Sequence, residues 1–180
     1  RNHCRVCIPP LAVREVFPGH HVAFEAAARA IPDDGERTAV NRRQVVYHEG
    51  WGLYAEHLVL EQGYYEDPAR RLGALRMLYL RALRASIDPR LHRGELTREE
   101  AEQRYRDDAL MTADAARSEV DRHFKDPVLK AAYFLGLEQI LELRARWRAE
   151  HPDVPLGEFH DRFLGRPRPV PAVARETFGL

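Results

Sequence analysis

The sequence predicts an all-α protein built as a single helical domain, and three observations carry that reading. Apolar residues recur at helical spacing, as in Leu72, Leu75, Tyr79 and Leu83. Capping and proline signals mark one helix start after another: Asp67-Pro68, Thr97 with Glu100, Asp126-Pro127. No β-type alternation and no internal repeat competes with them.

Taken in order, Pro18 suits a first helical turn, where its missing N–H costs nothing. "GHHVAFEAAARAI" then reads as a helix ending at Pro32, and "IPDDGERTAVN" as a polar loop. A second helix runs from about Arg42 to Gln62, with Gly63 as its stop. Asp67 caps a third, which Asp88-Pro89 weakens or ends. Thr97 and Glu100 form a capping box, and a further helix lies near Ala109 to His123. "VLKAAYFLGLEQILELRARWRAE" is the last long helix, and one short helix follows in "HPDVPLGEFHDRFLG". Residues 1–165 form the helical domain. Residues 166–180, with "RPRPVPAVARE", form a proline-rich tail expected to be extended.

Charge is balanced, 28 basic against 28 acidic residues, so nothing electrostatic recommends nucleic acid or an acidic membrane as partner. No apolar run approaches a membrane span and the start is not a signal peptide, so a cytoplasmic location is expected. Cys4 and Cys7 form a lone CxxC; with only His3 beside it, reduced cysteines are a simpler reading than a zinc site.

The chemistry concentrates in "REVFPGHH" (Arg14–His21) and "YHEGWGLYAEH" (Tyr47–His57). Adjacent residues on a helix point about 100° apart, so His20 and His21 share one ion only if the backbone departs from helix, which Gly19 permits. Glu49, Leu53 and Glu56 fall on one face, with His48 about 100° away from Glu49. Gly50 and Gly52 each cost roughly 1 kcal/mol against alanine, which makes sense where a backbone or ligand comes close. Histidine and carboxylate from two helices are ordinary zinc ligands; histidines on a solvated or hydrogen-bonded face are the plainer alternative. Arg84, Asp88 and His92, four apart, form one stripe, a surface ion-pair ladder or a site wall.

These segments resemble a bacterial family, the domain of unknown function 885, whose members are helical, zincin-like metallopeptidase relatives. Its pattern of HExxPGHH, EGWALYAE, VDTGLH, AYxxG and FHD is matched in order by "REVFPGHH", "EGWGLYAE", "SIDPRLH", "AYFLG" and "FHD". The resemblance implies a zincin-like domain matching the C-terminal half of longer members, truncated relative to the full fold. It implies Glu15 as general base, His20 or His21 and Glu49 as metal ligands, and Tyr133 and His160 as oxyanion stabilisers. It also raises the prospect that Asp88 or His92 faces the site.

The departures matter as much. Arg14 stands where the family has its first histidine, and arginine cannot ligate zinc. His48 stands beside Glu49 where the family is apolar, an imidazole that could compensate. Three functions follow. One is a zinc-dependent hydrolase acting on an amide or peptide-like bond. Another is a metal-independent acid–base enzyme of small-molecule biosynthesis, with Arg14 as a fixed cation for substrate. The last is a non-catalytic helical subunit. A homo-oligomer, or a partner replacing the absent N-terminal region, is compatible with each.

Overall fold

The computed structural model describes residues 5–179, and within them the protein contains helices and no strand. A 3₁₀ turn at Arg5–Cys7 leads into α1 (Ile8–Glu15), followed by α2 (His20–Ala30), α3 (Asp34–Arg43), α4 (Val45–Glu61) and α5 (Pro68–His92). Then come α6 (Arg98–Asp108), α7 (Ala113–Lys125), α8 (Leu129–Glu150), α9 (Leu156–Leu164) and α10 (Val170–Val173), closed by a π turn at Ala174–Phe178. Cys7 is buried, whereas Cys4 and His3 lie outside the described residues.

The centre of the molecule is α4 against α8. Their backbones touch: a Cβ at Gly50 would lie 2.6 Å from the Cα of Gly136, and one at Gly136 would lie 2.2 Å from the carbonyl oxygen of Val46. The glycine of "HEGWG" is therefore spent on helix contact. Trp51, Leu53 and Tyr54 of α4, Leu137, Ile140 and Trp147 of α8, and Phe159 and Phe163 of α9 form one apolar cluster. Ile87 and Leu91 of α5, Tyr105 of α6 and Val120 of α7 form a second.

The expected signals hold at several helix ends. Asp67 accepts a hydrogen bond from the Ala69 N–H, Thr97 and Glu100 close a reciprocal capping box, and Gly63 stops α4 with φ +73°. Elsewhere the structure corrects the expectation. The segment expected as a loop forms α3, whose N-terminus Asp33 caps by accepting from the Glu36 N–H at 2.7 Å. Pro18 precedes α2 rather than opening it, across a cis Phe17–Pro18 bond. Pro89 does not end α5, which continues to His92 because Ile87 and Leu91 are buried on either side of it. A proline forfeits one helical hydrogen bond, and packing on both sides offsets that loss.

Asp126 ends α7, and α8 starts only after Val128, at φ +68°. α7 itself begins at Ala113, with Thr112 as its cap. The tail is not extended: α10 docks with Val170 and Val173 buried in the first cluster. Of the stripe that signalled α5, Leu83 is buried as expected while Leu72, Leu75 and Tyr79 are exposed, and Gly73 and Ala74 are buried beside them.

Candidate functional site

The two segments singled out by sequence meet where α1, α2 and α4 converge. The chain doubles back between α1 and α2 so tightly that a Cβ on Gly19 would stand 1.9 Å from the Arg14 carbonyl oxygen. The Trp51 indole N–H pins the crossing, donating to the carbonyls of Pro18 at 3.0 Å and Gly19 at 3.2 Å. Gly52 then leaves room for side chains: a Cβ there would lie 2.8 Å from Cε1 of His20 and 3.2 Å from Cγ of Arg14.

Arg14 is the hub. Its guanidinium donates to Glu15 at 2.7 Å and to Oε2 of Glu49. It also lies 3.8 Å from Oε1 of Glu56 and 5.0 Å over the Tyr133 ring. Glu56 in turn accepts from the buried Arg81 at 3.2 Å. His20 points inward, its Nε2 3.5 Å from Oε2 of Glu49, an electrostatic contact longer than a well-formed hydrogen bond. Burial opposes ionisation of Glu49, yet His20 and Arg14 outweigh it and hold its carboxyl below the ordinary range. Burial dominates at Glu56 and raises its pKa despite both arginines. At Tyr133 burial, reinforced by Glu49, keeps the phenol protonated.

The other expected ligands diverge. His21 is exposed, one helical step from His20. His48 turns aside, its Nε2 3.1 Å from Oδ1 of Asn41 and its ring stacked on Phe24 at 5.0 Å. Burial and the neighbouring His20 lower its pKa to about 4, against the pull of Glu49. Among the described residues no group of three His, Cys, Asp or Glu side chains is arranged to hold a metal ion. His20 Nδ1 is buried without a hydrogen-bond partner, whereas a zinc-ligating imidazole ordinarily donates its second N–H to an acceptor. The residues present do not fit a zinc centre: His20 and Glu49 are the His–carboxylate pair that approach each other, the buried Glu56 is held by Arg81, and the Arg14 guanidinium lies beside both carboxylates.

His160 and Tyr133 do not share partners. His160 Nε2 bonds the Tyr54 hydroxyl at 2.8 Å, the ring standing edge-on to Trp51. Arg144 tethers the same hydroxyl at 3.3 Å while gripping Glu61 with two bonds of 2.8 Å. The Arg84, Asp88 and His92 stripe joins helices. Arg84 forms a two-pronged pair with Glu119 of α7, at 2.8 and 2.9 Å. Asp88 is fully buried, bonds His123 Nδ1, and lies 3.7 Å from His92. His123 Nε2 meets the Tyr105 hydroxyl at 2.6 Å. Sequence reasoning missed Arg81, Glu119, His123 and Asn41. Glu56 alone carried a signal, its shared face with Glu49.

An all-α fold with a guanidinium–carboxylate–histidine centre, built on the crossing of α1, α2 and α4, defines the class of this protein. The family described as bacterial protein of unknown function (DUF885) matches residues 3–174, and the chain belongs to it. A solved structure from Colwellia psychrerythraea, described as a "putative lipoprotein", superposes with a TM-score of 0.85 at 29% identity over 97% of this chain. One from Shewanella oneidensis, described as a "putative lipoprotein of unknown function", gives 0.80 at 22% identity over 95%. This chain spans only 30% and 31% of their lengths. No curated protein matches it. No helix among the described residues is long and apolar enough to cross a membrane.

Proposed function

We propose that this chain carries a metal-independent small-molecule site, rebuilt around Arg14, in which Glu49 and His20 bind substrate and transfer protons. The observation that supports it is the Arg14 guanidinium bonded to Glu49 Oε2, the oxygen that His20 also approaches. A guanidinium supplies positive charge beside a carboxylate but neither Lewis acidity nor the power to ionise water. Proton transfer and substrate positioning therefore fit these residues better than attack on an unactivated amide. His20 and Arg14 together favour the anionic form of Glu49 against its burial, and burial keeps Tyr133, whose ring lies under Arg14, a neutral phenol.

A zinc-dependent hydrolase of amide or peptide-like bonds is the second reading. It draws on the 3.5 Å approach of His20 to Glu49, two donors that one ion could share if Arg14 withdrew. Calorimetric zinc titration of dialysed wild type, Arg14→His and His48→Ala separates the two. The rebuilt site expects no stoichiometric zinc in the wild type and tighter binding in Arg14→His, which gains a neutral donor. Tight zinc in the wild type that His48→Ala abolishes overturns it. A cytoplasmic location and a homo-oligomer or partner remain part of the proposal, tested by cell fractionation and by the solution mass of the chain.

A further inference from the structure

Beside Glu49 lies a cleft of about 310 Å³, at the lower end of the range for small-molecule sites. Four helices build it, and their contributions differ in kind. Phe24 of α2, Val45 of α4 and Leu129 of α8 supply an apolar wall. Phe24 is 45% exposed, high for an aromatic residue already stacked on His48. Arg42 at the end of α3 lines the same cleft, is exposed, and has no described partner. Glu49 faces it with one oxygen to spare: the Arg14 bond and the nearest approach of His20 are both to Oε2, and no hydrogen bond among the described residues engages Oε1. Asn41 and His48, bonded to each other, add polar groups to the lining.

We propose that this cleft binds a small zwitterion with an apolar body, of the α-amino-acid class. The ammonium pairs with Glu49 Oε1, the carboxylate with Arg42, and the apolar group lies against Phe24, Val45 and Leu129. This rests on the reading of Glu49 as an anion held by His20 and Arg14. A simple carboxylate would meet the negative Glu49, and a simple amine would leave Arg42 unused. Only a molecule carrying both charges satisfies both ends, through charge-assisted hydrogen bonds.

Titration calorimetry of the whole chain in EDTA tests this with L-leucine, glycine, isoamylamine, which lacks the carboxylate, and 4-methylpentanoate, which lacks the ammonium. Leucine should bind at least about fivefold tighter than each of the other three. Arg42→Ala, at an exposed position that should leave folding intact, should bring leucine down to the affinity of isoamylamine and leave isoamylamine unchanged. Glu49→Gln, checked for a retained melting transition, should weaken leucine and isoamylamine but not 4-methylpentanoate. Equal affinities for leucine and isoamylamine, an Arg42→Ala protein that binds leucine as well as wild type, or no heat from leucine up to on the order of 10 mM in either EDTA or zinc each overturn the proposal. Leucine binding in the same rank order only when zinc replaces EDTA upholds the ligand class while sinking the metal-free reading, so the two fail separately.

Discussion

Arg14 and Glu49, 35 positions apart in the chain, are joined by a hydrogen bond from guanidinium to carboxylate that ties α1 to α4. Only a tenth of the Arg14 side chain and about a quarter of the Glu49 side chain reach solvent. Removing one member of such a pair leaves the other's charge stranded. Arg14→Leu should destabilise the fold by about 3 kcal/mol, since Glu56 also loses a neighbouring cation. In that background Glu49→Gln should cost less than in the wild type, with a coupling of at least about 1 kcal/mol in a urea-denaturation cycle. Additive effects would mean that the pair is not energetically joined.

The α4–α8 crossing gives a prediction independent of the site. A methyl on Gly136 would strike the Val46 carbonyl and the Gly50 Cα, both backbone atoms that cannot rotate away. Gly136→Ala should therefore cost at least about 2 kcal/mol. Gly50→Ala separates the same two backbones, so the double variant should lose less than the sum of the singles. Thermal melts of the three proteins check this, and a tolerated Gly136→Ala would contradict the close approach.

The sequence's legibility followed the locality of its signals. Caps at Asp67 and Thr97 act within a turn, and they were readable. α3 lacks an apolar stripe and forms through its Asp33 cap and the Arg37–Asp34 pair, so amphipathic periodicity gives no sign of it. Pro89 and the tail depart from expectation because tertiary burial, of Ile87 and Leu91 in one case and of Val170 and Val173 in the other, overrides local propensity. The same division holds in the site. "PGHH" and "EGW" announced their meeting through glycines that a close approach requires, and Gly19, Gly50 and Gly52 each face an atom that a Cβ would hit. Arg81 and His123 carry no local signal, because their partners Glu56 and Asp88 lie 25 and 35 positions away.

The Asp88–His123–Tyr105 chain joins α5, α7 and α6, and all three residues are buried. Asp88→Ala should cost about 3 kcal/mol, because it strands a buried imidazole N–H. Tyr105→Phe, which removes one hydroxyl, should cost about 1–2 kcal/mol. Urea denaturation measures both, and the order of the two losses is the test: a Tyr105→Phe protein weaker than Asp88→Ala would contradict the assignment of Asp88 as the anchoring carboxylate.

His160 gives the pH dependence. Burial, with Arg144 nearby, lowers its pKa to about 4, and Asp161 only partly opposes this. Tyr54, Trp51 and Phe159 also face the ring. The unfolded chain has an ordinary imidazole of pKa about 6.5, so between pH 6.5 and 4 the unfolded state binds more protons than the folded state. The contribution is fully present above the unfolded pKa and is lost as pH falls toward the folded one. For a partly exposed ring the loss is about 1–2 kcal/mol. His160→Gln removes the titrating group, so its stability should fall less steeply than that of the wild type over this interval. Urea midpoints of the two proteins, measured between about pH 7 and pH 4.5, should converge on acidification. Parallel profiles would show that the His160 imidazole titrates alike in the folded and unfolded chains.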